Sequence, residues 1–206
     1  MNKIKINKWG KIGIFSTLAM GILFIASSAM ATETAVWTTL DVSGELSTGV
    51  TLTVEEELRF ADVAGPSLAR QHTDIGISWD IDGISAVGGY RNTSSGEHRP
   101  YVGVGLRLLS GDLNLDSATR LELRDFDTLR GRTELTVTAS VAGVTPWASD
   151  ELFVDDSGVT GNRASIGVTK ALNDTWSVNA YYLLDSVGSS FDNNTHVLGL
   201  GLSVGL

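Results

Sequence analysis

The chain has 206 residues, 42% hydrophobic and 19% charged, with no cysteine, a formal net charge of −9 and a pI near 4.7. That length suits one domain or two. The missing cysteine excludes disulfides, thiolate nucleophiles and cysteine-ligated metal, and the acidity argues against nucleic acid, whose phosphates need a basic footprint.

Residues 1–31 carry Lys3, Lys5, Lys8 and Lys11 and no acid, then an apolar run from Ile12 to Ala26 and the small-residue end Ala29-Met30-Ala31. This order predicts a secretory signal peptide cleaved after Ala31. The apolar run is shorter than the ~20 residues of a spanning helix, and there is no cysteine for lipid anchoring. Residues 32–206 then form one domain with ten arginines and a single lysine, Lys170, against 24 acids. Arginine favours bidentate pairing with carboxylates, whereas lysine favours wet surfaces.

From there on, period-two alternation replaces any helical period. The candidate strands are 36–43, 50–60, 73–82, 84–92, 98–109, 112–125, 130–141, 148–154, 162–171, 175–185 and 195–206. In the second, Val50, Leu52, Val54, Leu58 and Phe60 oppose Thr51, Thr53, Glu55, Glu57 and Arg59. In the last, Leu198, Leu200, Leu202, Val204 and Leu206 oppose Gly199, Gly201, Ser203 and Gly205. The polar faces carry charges and glycines but no scatter of lysines. Strand lengths of about 9–12 residues match a tilted bilayer crossing. Tight turns at Asp82-Gly83, Ser110-Gly111 and Leu172-Asn173-Asp174 alternate with longer connections at 61–71, 92–97, 155–161 and 186–194, the habit of outer-membrane barrels. Pro66 and Pro146 fall in connections and Pro100 near a strand start. By parity Phe60, Tyr90 and Tyr182 point outward near the long-loop end, and Trp79 and Trp176 near the short-turn end, as two interfacial girdles require. A transmembrane barrel is therefore preferred to a secreted soluble β domain. Even strand numbers are usual in bacterial barrels, so about ten strands are expected, with twelve possible and 36–43 an extra strand, a lumen insert or a tether.

The stretches Glu57-Leu58-Arg59-Phe60, Gly89-Tyr90-Arg91, Arg120-Leu121-Glu122-Leu123-Arg124, Glu151-Leu152-Phe153 and His196-Val197-Leu198-Gly199-Leu200 occur in an order that resembles one bacterial outer-membrane barrel family, catalogued as domain of unknown function 2490 (DUF2490). The resemblance spans roughly Trp37 to Leu206. It implies an all-β, antiparallel up-and-down barrel in the outer membrane of a Gram-negative cell, without an established activity. Leu206 departs from the terminal aromatic usual in outer-membrane proteins.

By parity Arg59, Arg91, Arg107, Arg120, Arg124, Arg132 and Arg163 point into the lumen, with Glu55, Glu57, Glu122, Glu134 and Glu151. Interleaved signs favour an ion-pair network filling a narrow barrel over a selective pore or anion site. His72 and His98 lie beside outer loops, and His196 opens the last strand on its lipid-facing parity. A lipid-facing histidine near Ser189 and Ser190 suits an outer-membrane acyl hydrolase, but no nucleophile motif frames those serines. Asp155-Asp156 and Asp192-Asn193-Asn194 read as solvated loop acids before Ca²⁺ ligands, and the histidines make no zinc spacing. The expected function is a Sec-exported, monomeric barrel of structural or narrow-conduit role with a packed, charged lumen. No cofactor, metal or nucleic acid is expected. The expected partners are outer-membrane lipid, lipopolysaccharide and the barrel-assembly machinery. A lipid-modifying enzyme and a soluble periplasmic ligand-binding barrel are the alternatives.

Overall fold

Alternation of large apolar and small or charged residues drives every regular element among the described residues into extended conformation, because only a strand separates the two sets onto opposite faces. In the computed structural model, which describes residues 33–62, 66–188 and 193–206, eleven strands form a closed barrel. They are β1 (Glu33–Ser47), β2 (Val50–Ala61), β3 (Ser67–Ile81), β4 (Ile84–Thr93), β5 (His98–Leu109), β6 (Leu113–Arg124), β7 (Thr128–Ala139), β8 (Thr145–Asp155), β9 (Gly158–Ala171), β10 (Trp176–Val187) and β11 (Asn193–Gly205). The residues expected to form the signal peptide, 1–31, lie outside the described residues.

Consecutive strands pair antiparallel, and β1 closes the wall against β11 in parallel, from Glu33 opposite Thr195 to Ser43 opposite Gly205. The parallel seam follows from the count: an odd number of strands joined by hairpins sends the first and last in the same direction. About ten strands were expected. The eleventh is the segment whose place was open, since 36–43 is the middle of β1, hydrogen-bonded on both edges.

One end of the barrel holds Glu33 and the connections 62–66, 94–97, 125–127, 156–157 and 188–192. The other holds Leu206 and the connections 48–49, 82–83, 110–112, 140–144 and 172–175. Among the described residues the expected contrast of long and short connections is absent: the fully described connections use two to four residues at the Glu33 end and two to five at the other. The segment 155–161 shows why. It is polar enough to read as a loop, yet Asp155 pairs with Gly158 and Val154 with Val159, leaving a two-residue turn. Strand ends that project beyond an apolar band carry loop-like composition. Pro146, expected in a connection, is the second residue of β8. The β3–β4 hairpin meets expectation: Asp82 and Gly83 both have positive φ, 51° and 86°, as a two-residue turn matched to strand twist demands.

Strands of 10–15 residues at about 3.3 Å per residue, tilted by about 40°, rise by about 25–38 Å, enough for the apolar band of about 25 Å that such barrels present to lipid. The outer face is apolar and open: Leu52, Val54, Ile75, Ile77, Val102, Val104, Leu121, Leu135, Leu198 and Leu200 are all exposed. The inner face is filled in its middle by large side chains. Ala35, Trp37, Leu183 and Val197 form a buried apolar corner where β1, β11 and β10 meet, with Tyr181 packed against it. Lumen-facing glycines make room for inward rings. A Cβ on Gly199 would lie 1.9 Å from the Tyr181 ring, and one on Gly89 would lie 2.3 Å from the Tyr101 hydroxyl oxygen.

Candidate functional site

The lumen is crossed by a layer of arginines and carboxylates, set toward the Glu33 end. Its centre is Glu122 on β6, fully buried. Its Oε1 accepts from Arg120 Nε at 2.8 Å and from Arg132 Nη1 at 2.9 Å. Its Oε2 accepts from Arg130 Nε at 3.0 Å. Cross-strand register produces this convergence: Arg120 stands opposite Arg132, and Glu122 opposite Arg130. One of the three guanidiniums on Glu122, that of Arg132, is shared with the next carboxylate. Arg132 Nε donates to Glu151 Oε1 at 2.6 Å, and Arg163 Nη1 is 3.6 Å from Glu151 Oε2. Arg163 then grips Asp185 with two bonds, 3.0 and 3.3 Å. The chain of pairs thus runs from β6 to β10. Phe153 lies among its aliphatic and guanidinium surfaces, with the Cζ atoms of Arg130, Arg132 and Arg163 4.8–5.1 Å from the ring centre.

A second group forms on β2–β5. Arg91 Nε donates to Asp74 Oδ2 at 2.8 Å and Arg91 Nη2 to Glu55 at 3.3 Å, while the Tyr101 hydroxyl donates to Asp74 Oδ1 at 2.6 Å. Arg59 Nε donates to Glu57 Oε1 at 2.6 Å. At the rim Glu97, in the 94–97 connection, accepts from Arg99 and, at 2.5 Å, from Arg124. Burial opposes ionisation of Glu97, but these two hydrogen bonds and charges outweigh it and hold its carboxyl down at about 2.

Ten of the twelve charged residues expected in the lumen join the network through ion pairs: Arg59, Arg91, Arg120, Arg124, Arg132, Arg163, Glu55, Glu57, Glu122 and Glu151. Arg107 pairs instead with Asp116 at 2.8 Å near the Leu206 end, where its side chain is 55% exposed. Glu134 accepts from Thr136 at 3.3 Å. Sequence reasoning did not place Arg130, Arg99, Glu97 or Asp185 in the network, although Arg130 shares the parity of Arg132. His72, read as a loop-side residue, is inside the lumen and 2% exposed, with Nδ1 3.4 Å from Glu57.

Of the outward aromatics, Trp79 and Trp176 are exposed toward the Leu206 end and Tyr90 toward the other. Tyr90 bonds His98 through Nδ1, and Tyr182 bonds His196 in the same way. In both pairs the histidine sits two residues before the register partner of the tyrosine. Phe60 borders a cavity at the Glu33 end. The Tyr182 partner gives the His196 ring a phenol where an acyl hydrolase needs a serine hydroxyl. Ser189, Ser190 and Asp192 lie outside the described residues. Asp155 turns its Oδ1 onto the backbone N–H and hydroxyl of Ser157, at 2.9 and 2.6 Å, as a turn-forming acid does.

Two cavities flank the layer. One, of about 740 Å³, opens at the Glu33 end beside Ala35, Arg59, Arg70 and Asp185. The other, of about 390 Å³, lies on the Leu206 side and is lined by Asp41, Glu55, Glu134, Trp147, Asn179 and Tyr181 among others. The lumen is therefore hollow on both sides of a filled middle.

Solved porin structures are among those that share the fold. A KdgM porin in complex with disordered oligogalacturonate is 15% identical, with a TM-score of 0.51 over 71% of this chain and 82% of that one. A NanC porin structure is 14% identical, with a TM-score of 0.53 over 76% and 85%. No curated protein matches the chain in sequence. The family described as "Protein of unknown function (DUF2490)" matches residues 34–196, most of the barrel wall, and the chain belongs to that family.

Proposed function

We propose that the protein is an outer-membrane β-barrel acting as a narrow conduit, closed at rest by its own ion-pair layer. The observation that carries this reading is the burial of Glu122 under three arginines in a lumen with cavities on either side. An exposed apolar outer wall supports residence in lipid, where a closed barrel leaves no unpaired strand edge. In this reading residues 1–31 direct export and are removed. The barrel-assembly machinery inserts the domain, which stands as a monomer among outer-membrane lipid and lipopolysaccharide. Trp79 and Trp176 then mark one membrane interface and Tyr90 and Tyr182 the other.

The similar KdgM structure holds an acidic oligosaccharide. A polyanion needs a row of unpaired cations, and here Arg120, Arg130, Arg132 and Arg163 are all committed to carboxylates. Small solutes fit the arrangement better than polyanions.

Fractionation with a heat-modifiability gel and planar-bilayer recording test the proposal. A membrane-bound, heat-modifiable protein with small or intermittent currents is expected. Recovery in the soluble fraction, or large steady porin-like currents, would overturn it.

A further inference from the structure

Among the described residues, Trp37 on β1 is the one side chain that lines both cavities. Arg59 lines the vestibule at the Glu33 end and holds its Cζ 3.7 Å from the Trp37 ring centre. Arg163 lines the inner cavity and approaches the same ring to 5.3 Å. The indole is thus flanked by two guanidiniums, a favourable arrangement because the ring face is electron-rich. Each guanidinium is anchored from behind, Arg59 by Glu57 at 2.6 Å and Arg163 by Asp185 at 3.0 Å.

From this geometry we infer that Trp37 is the partition of the conduit, and that the path it closes selects small cations. The inference rests on the conduit reading above. The partition differs in kind from the rest of the layer. Elsewhere, charge-assisted hydrogen bonds cross the lumen and lock their partners. Trp37 is held by stacking and by its apolar seat on Ala35, Leu183 and Val197, so moving it breaks no ion pair. Selectivity follows from the inner chamber. Asp41, Glu55 and Glu134 face it, Glu55 with Arg91 at 3.3 Å, whereas the two arginines that line it both approach Glu151, so that Asp41 and Glu134 carry the excess. Charged rings at close quarters decide which sign of ion passes, and the excess here is negative.

The test is single-channel recording on the detergent-folded protein in a KCl gradient, for wild type, Trp37→Ala and Trp37→Phe. Wild type and Trp37→Phe should show the same low conductance. Trp37→Ala should show a severalfold rise with a reversal potential of cation-selective sign, reduced by adding Asp41→Asn. If Trp37→Ala gives no heat-modifiable barrel, Trp37→Leu replaces it, since leucine fills the apolar seat without spanning the gap between guanidiniums. A variant as closed as a closed wild type, or an anion-selective path, overturns the inference and leaves the conduit reading standing. Large currents from wild type overturn both together.

Discussion

The two halves of the lumen solve the same problem in opposite ways. Toward the Glu33 end, arginines outnumber the carboxylates they surround at Glu122, and the space is filled by charge-assisted contacts. Toward the Leu206 end, carboxylates stand with few cations, and rings laid over glycines, Tyr181 on Gly199 and Trp147 on Gly167, leave a cavity beside them. A narrow barrel can thus be closed with long charged side chains or narrowed with flat ones. The first way makes each charge depend on its neighbours. The second makes each ring depend on the absence of a Cβ.

This comparison breaks most visibly at Glu122. Glu122→Gln leaves Arg120, Arg130 and Arg132 around a neutral amide, and loss of one partner of a buried pair typically costs about 3–5 kcal/mol. The unfolding midpoint of the detergent-folded protein should fall clearly, while Glu134→Gln in the hollow half should leave it nearly unchanged. Equal effects would mean that the two halves are equally hydrated.

Gly199→Ala probes the hollow half. Its Cβ would sit 1.9 Å from Tyr181 Cζ, so the ring must leave its place, at the ~1–3 kcal/mol expected of overpacking. Tyr181→Ala in the same chain should restore most of the midpoint, which thermal melts of the single and double variants would show.

At the rim, acid should loosen the packed half first. The Glu97 carboxyl, held at about 2 against an ordinary 4.5, stabilises the folded state through its charged form. That contribution is complete above pH 4.5 and is lost as the pH falls toward 2. Glu97→Gln should remove this portion of the pH dependence of the melting temperature between those limits. The smallest effect should come from Arg107→Ala, because its own side chain is exposed and its partner Asp116 only half-buried. Exposed pairs contribute about 0–1 kcal/mol, and chemical denaturation should barely distinguish this variant from wild type.

Much of this was readable along the chain. Parity assigned Glu122, Arg132 and Arg163 to the lumen and Leu198 and Leu200 to the outside, and the structure places them there. The network's wiring was not readable. Arg130 meets Glu122 because β6 and β7 are in a particular register, and Arg163 meets Asp185 because β9 and β10 are. His72 shows the limit from the other side: its position near a strand start suggested a loop, whereas β3 begins at Ser67 and carries it inside. Trp37 gave one local sign, its shared parity with Thr39 and Asp41, but its neighbours Arg59 and Arg163 come from β2 and β9.

What the sequence determined by itself is which residues face in and which face out, because successive side chains on an extended backbone must alternate and only one set suits lipid. It also determined the sign and kind of the inward charges. The tertiary structure alone decided that Glu33–Ser47 is an eleventh strand, that it closes in parallel on β11, and that Trp37 therefore stands between two cavities. The physical reason is one of range. Alternation is set within a few covalent bonds, whereas closure is a register between the first and last strands, fixed only when the whole sheet has curled onto itself.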